Sequence, residues 1–160
     1  MCLLLYTGQR RSDVVRMGRQ HIRNNVLTIT QQKTGQLVGI PLHRDLKALV
    51  DSLPKDNMTF ITSDQGKPIT PESFTNWFRR MVGAAELPKG LSAHGLRKAT
   101  CRRLAEAGCS AHEIMAISGH KTLAEVTRYT VAASRKQLAE RAVASLDGTK
   151  TRTKVSNPAR

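Results

Sequence analysis

Apolar residues fall along the chain in blocks whose spacing changes, and each change predicts a new element. Cys2, Leu3, Leu4, Leu5 and Tyr6 form an unbroken apolar run that Thr7-Gly8 interrupts. It reads as the end of a buried helix. Ser12 suits the N-cap of a short helix reaching Met17, with Asp13 in its first turn. Residues 26–32 are rich in β-branched side chains and predict a strand. Residues 33–36 turn the chain, with Gly35 free to take a positive φ, and 37–41 return as a second strand ending at Pro41. Lys33 thus stands at the tip of a hairpin.

Leu46, Leu49, Val50 and Leu53 recur at steps of three and four, which predicts a helix over 43–53. Residues 58–61 are a candidate third strand. Thr70 followed by Pro71 opens a helix whose apolar face is Phe74, Trp77, Phe78, Met81 and Val82. Another helix starts at Ser92 or Ala93 and closes at Gly108. Ser110 with Glu113 forms a capping box for the next, which ends near Ser118-Gly119. Two further helices are predicted over 122–129 and 134–146. The second carries the apolar stripe Leu138, Ala142, Val143 and Leu146. The Thr-, Lys- and Pro-bearing segment 147–160 predicts a basic, disordered tail after a domain spanning 1–146. The expected fold class is mixed α+β, mostly α-helical with a small antiparallel β-sheet near the N-terminus.

Composition narrows the function. With 160 residues and 39% hydrophobic content the chain can bury one core. Lys and Arg number 26 against 12 Asp and Glu, a formal charge of +14. That excess calls for a polyanionic partner, most simply nucleic acid. Aromatics are only 4%, too few for rows of stacking platforms on single strands. Double-stranded DNA gripped through its phosphates fits better. An RNA-binding or ribosome-associated protein would account for the charge equally, and so would a DNA-binding module without catalysis. Cys2, Cys101 and Cys109 lack disulfide or zinc spacing and read as reduced thiols. No apolar run is long enough for a membrane span, and the opening run is too short for a signal peptide. The expected location is cytoplasmic.

The candidate chemistry starts from two cations in restrictive settings. Arg10 follows Thr7-Gly8-Gln9 at a helix junction, and Arg97 lies three residues after His94 in His94-Gly95-Leu96-Arg97. Positions three apart share a helix face, so His94 and Arg97 can address one object, and a forked guanidinium with an imidazole suits a phosphate. Each pair alone is more often a solvated face. Ser118-Gly119-His120 follows, and then Tyr129 after Thr127-Arg128. Taken singly, Tyr129 would pack as a helix-end aromatic, Lys33 would be an edge charge and His120 would cap a helix. His21, His43 and His112 have no comparable framing and read as surface. Trp77 reads as core, and Arg11, Arg16, Arg79, Arg80, Arg102 and Arg103 as backbone contacts or solvated charges.

Together, in this order, these pieces resemble the tyrosine recombinase (phage integrase) family. The resemblance runs from Tyr6 to about Leu138 and rests on Thr7–Asp13, Lys33 before Thr34-Gly35, His94–Arg97, Gly119-His120 and Tyr129. It implies a tyrosine-recombinase catalytic-domain fold and site-specific recombination or integration. In that chemistry Tyr129 is the nucleophile, giving a 3′-phosphotyrosyl intermediate. Lys33 is the general acid, Arg10 and Arg97 clamp the phosphate, and His94 and His120 donate to it or handle protons. No cofactor and no metal is implied, since the arginines supply the positive charge. The resemblance also implies a homo-oligomer on DNA, dimer to tetramer, docked through the helix 134–146, and allows accessory DNA-bending proteins. A nucleoid-associated protein of bacterial or phage origin would follow. A type IB topoisomerase-like nicking-closing enzyme would use the same residues. The family's N-terminal core-binding domain, and the start of the first helix, are expected to be missing before Met1.

Overall fold

The computed structural model describes residues 1–147. The chain runs α1 (Cys2–Thr7), α2 (Arg11–Val14), β1 (Ile22–Arg23), β2 (Val26–Thr30), β3 (Leu37–Pro41), α3 (Arg44–Ser52), α4 (Pro71–Ala84), α5 (Ala93–Glu106), α6 (Ala111–Ser118) and α7 (Leu123–Asp147). The domain is mostly helical with one small antiparallel sheet, in the order β1-β2-β3.

The hairpin forms where its composition demands. Leu27 and Ile29 on β2 and Val38 and Ile40 on β3 are buried, with exposed residues between them. The register pairs Leu27 with Ile40 and Ile29 with Val38, so apolar side chains face each other across the ladder. The third strand is β1 and not 58–61. Asn24 and Asn25 both take positive φ, 51° and 59°, as a two-residue hairpin turn requires. At 58–61 the backbone donates once, Phe60 N to Met17 O at 2.8 Å, and finds no strand edge to extend.

Two helix boundaries also differ from expectation. Arg10, extended at φ −73° and ψ 157°, occupies the N-cap of α2, and Ser12 lies inside its single turn. Asp13 does sit in that first turn. The segments 122–129 and 134–146 are one helix, α7, because no Gly or Pro between Leu123 and Asp147 breaks it. The tail reading lies, beyond Asp147, outside the described residues.

The core has two parts. Leu4, Val14, Met17, Leu27, Ile40, Leu46 and Phe74 anchor the larger one. Cys101, Ala105, Ile114, Val126 and Ala133 form the smaller one, where α5, α6 and α7 meet. A close contact between α1 and α5 joins them: Thr100 Oγ1 donates to Leu5 O at 2.8 Å, and Thr100 Cγ2 lies where a Cβ on Gly8 would come within 3.1 Å. Gly8 itself closes α1 in the left-handed region, φ 61°, with its N–H on Leu4 O. Arg10 follows two residues later, its Nη1 donating to Gln31 Oε1 at 3.2 Å.

Candidate functional site

Four of the six predicted residues line one cavity of about 1010 Å³: Arg10, Lys33, His94 and Arg97. Arg11 and Arg79 join them, and Phe74, Phe78, Val82 and Leu91 form an apolar wall. Arg10 comes from the α1–α2 junction, Lys33 from the exposed β2–β3 turn, and His94 and Arg97 from the first turns of α5. Ser92 caps α5 by accepting from Gly95 N at 3.0 Å, which fixes the turn that carries His94.

Arg97 is the most constrained. It is 3% exposed. Its Nη1 donates to Gly8 O at 2.6 Å and to Ser118 O at 2.7 Å. Its Nη2 is buried with no partner. A buried guanidinium nitrogen without an acceptor is costly, and it is a donor ready for an incoming oxygen. Burial, and then the charge of Arg10, lower the pKa of Arg97. Two like charges are thus held together in a partly dry setting, which favours an anion between them. His94 is likewise lowered, first by burial and then by Lys98, Arg97 and Arg10, so its neutral form is favoured.

His120 follows Gly119, the left-handed cap of α6 at φ 67°, whose N–H reaches Met115 O at 2.7 Å. The glycine is therefore the cap, and His120 is free for another contact. Its Nδ1 lies 2.6 Å from Ser118 Oγ. Burial, reinforced by Arg97, pushes its pKa down to about 4.

Tyr129 stands apart from the cavity lining. It packs against the smaller core cluster, with Arg128 Nη2 donating to its hydroxyl at 3.2 Å and the Arg128 guanidinium 5.0 Å from its ring centre. The other histidines sit as expected on or near the surface. His43 caps α3 and stacks on Tyr6, while His21 Nδ1 accepts from Gly18 N.

Sequence reasoning missed the polar residues beneath the site. Gln9, Asp13, Gln31 and Ser118 are each 0% exposed. Asp13 Oδ1 accepts from Gln32 N at 2.7 Å and ties α2 to the hairpin that bears Lys33. The signal was present for Gln31: the inward alternation Leu27, Ile29 continues to position 31, which points a glutamine at the core.

The description of the phage integrase family matches residues 1–136, most of the chain. The chain belongs to the phage integrase family. It is 33% identical over 96 residues to the integrase of Escherichia phage HK022, covering 54% of this chain and 27% of that protein. It is 25% identical over 138 residues to the tyrosine recombinase XerC of Rickettsia prowazekii (strain Madrid E), covering 81% of this chain and 45% of that one. The chain therefore spans less than half the length of these relatives. Among solved structures, a lambda integrase dimer bound to a COC′ core site superposes with TM-score 0.66 at 27% identity, covering 80% of this chain and 49% of that one. XerA recombinase shares the fold, TM-score 0.70 at 19% identity, over 87% of this chain and 55% of that one.

Proposed function

We propose that this chain is the catalytic part of a site-specific recombinase or integrase that cuts and rejoins double-stranded DNA through Tyr129. The observation that carries the reading is the convergence of Arg10 and Arg97, from separate elements, on one cavity with Lys33 and His94. Two guanidinium groups there neutralise the nonbridging oxygens of a phosphodiester, whose charge otherwise repels a nucleophile. The Tyr129 oxygen attacks phosphorus, and the bond from phosphorus to the 5′-oxygen breaks. Lys33 gives its proton to that leaving oxygen, and the tyrosine proton passes to a base, for which His94, held toward its neutral form, is suited. The product is a 3′-phosphotyrosine and a free 5′-hydroxyl. A second 5′-hydroxyl reverses the step and rejoins DNA. The net charge of +14 supplies sequence-independent grip on phosphates. Assembly on DNA as a dimer or tetramer through the exposed end of α7, with accessory DNA-bending proteins, belongs to the same proposal.

A second reading is DNA binding without cleavage by this chain alone. It is favoured by the place of Tyr129 outside the cavity lining. Nicked duplex DNA whose short 5′-hydroxyl fragment escapes after cleavage separates the two. A DNA-linked band on a denaturing gel, absent in Tyr129→Phe, is the expected result. Intact binding with no such band would favour the second reading.

A further inference from the structure

Beside the cavity a single buried amide touches the segments that hold Arg10, Lys33 and His120. Gln31 is 0% exposed. Its Oε1 accepts from Arg10 Nη1 at 3.2 Å and from Thr34 Oγ1 at 2.6 Å. Its Nε2 donates to Gln9 Oε1 at 2.5 Å and to Ser118 O at 2.8 Å. Ser118 O is also the acceptor of Arg97, and Ser118 Oγ is the neighbour of His120. Gln31 main-chain groups close the turn that carries Lys33, with Gln31 N on Gln36 O and Gly35 N on Gln31 O, both at 2.8 Å. Gln9 extends the network, its Nε2 donating to Thr7 O at 3.0 Å and to Ile117 O at 2.7 Å.

This arrangement specifies an amide. On one side Gln31 meets two donors, Arg10 and Thr34. On the other it meets two acceptors, Gln9 Oε1 and Ser118 O. A carboxylate satisfies only the first side and leaves oxygen facing oxygen on the second. It would also cancel part of the positive charge that an anion needs. A thioether of the same length satisfies neither side. Gly119 completes the fit, because a Cβ there would lie 2.3 Å from Gln31 Nε2. The hairpin thus seats directly on the end of α6, and only glycine leaves room for the amide.

We infer that Gln31 is a positioning residue for a tetrahedral oxyanion in this cavity: one amide sets Arg10 and, through Ser118, Arg97 and His120 in register with the Lys33 turn. The inference rests on the strand-transfer reading for the identity of that anion, a DNA phosphate, but its geometry can be tested without cleavage. The probe is inorganic sulfate, titrated at fixed ionic strength into the 160-residue chain and followed through the amide signals of Gly119 and His120 by NMR. Wild type should show saturable shifts. Gln31→Met should weaken sulfate at least about fivefold, the effect of one charge-assisted contact out of place. Gln31→Glu, closer in shape, should weaken it more. Amide signals of the distant α3 report whether each variant is folded, and for a variant that is not, Gln9→Met takes its place with the same expectation. The inference is overturned by wild-type affinity in Gln31→Glu or Gln31→Met, or by no saturable site in wild type. The same variants go through the nicked-DNA assay. Gln31-dependent sulfate binding without any Tyr129-linked DNA would sink the strand-transfer reading and leave the positioning role standing.

Discussion

The hydroxyl of Ser118 lies 2.6 Å from Nδ1 of His120, and it has only one proton to give. That proton goes to Ile114 O, also at 2.6 Å. With that proton on Ile114 O, the neutral His120 ring carries its own on Nδ1 and its Nε2 is bare. An anion at Nε2 can be met only by the protonated ring. Sulfate, whose charge is constant in this range, should therefore bind more tightly as pH falls from about 7.5 to about 5.5, with uptake of a proton at His120. His94 lines the cavity and His120 is not among its lining residues, so the comparison is with His120→Gln, which should remove most of this pH dependence. An unchanged profile in that variant would assign the effect to His94.

Without an anion the same group acts in the opposite direction on stability. The folded pKa of His120 is about 4, lowered by burial and Arg97, against roughly 6.5 in the unfolded chain. Between those values the unfolded chain binds more protons, so its share grows as pH falls. The contribution is whole above about pH 6.5 and lost as pH drops toward 4, by no more than about 3 kcal/mol. Urea melts across that window measure it. His120→Gln should flatten the limb, and an equally steep limb would point to other titrating groups.

The reach of the sequence is clear from particular residues. Thr70-Pro71, Ser92 and Ser110 with Glu113 marked helix starts because capping is local chemistry, and all three are where expected. Arg10, Lys33, His94 and Arg97 could be listed from motif order, and they line one cavity. What escaped was set by contacts between distant segments. Gln31 meets Ser118, and Gln9 meets Ile117, across most of the chain. No local pattern announces such pairs; only the strand alternation, carried on to position 31, points Gln31 inward. The break expected near residue 130 failed for a different reason. The helices expected over 122–129 and 134–146 run together, because a helix continues until something stops it and no Gly or Pro lies between them.

Arg97 offers a test of whether burial there serves function or fold. Its cation is buried beside Arg10, and its Nη2 is unpartnered. Removing such a charge frees Gly8 O but relieves desolvation and repulsion. Arg97→Met should therefore change stability by only about 1 kcal/mol in either direction. Strand cleavage should fall at least about 100-fold, since a transition-state donor is gone. Thermal melts and the nicked-DNA assay give both numbers. A loss of stability well above that range would make Arg97 a structural residue first.

Two glycines should respond oppositely to alanine. At Gly119 the positive φ of 67° and the Gln31 amide, 2.3 Å from a built Cβ, both resist a side chain. Gly119→Ala should cost at least about 1–2 kcal/mol for the backbone alone, and more as Gln31 is displaced. Gly83 lies inside α4 with nothing within 4 Å of a built Cβ. Gly83→Ala should stabilise by about 0.5–1 kcal/mol. Equilibrium unfolding of the two variants side by side checks both signs.

The far end of α7 bears on assembly. Leu138, Val143 and Leu146 are 60%, 60% and 75% exposed. Three large exposed apolar side chains on this stretch of helix are costly to leave in water, and they suit a neighbouring protomer's groove. Leu138→Asp with Val143→Asp should leave the melting temperature of the monomer nearly unchanged, because neither residue is buried in it. On duplex DNA the same variant should lose the slower-migrating, multiply bound complexes while keeping the first bound species. Sedimentation of the protein–DNA mixture distinguishes the outcomes. Unaltered higher complexes would remove α7 as the docking element, and a large drop in melting temperature would show that the stripe packs on its own domain after all.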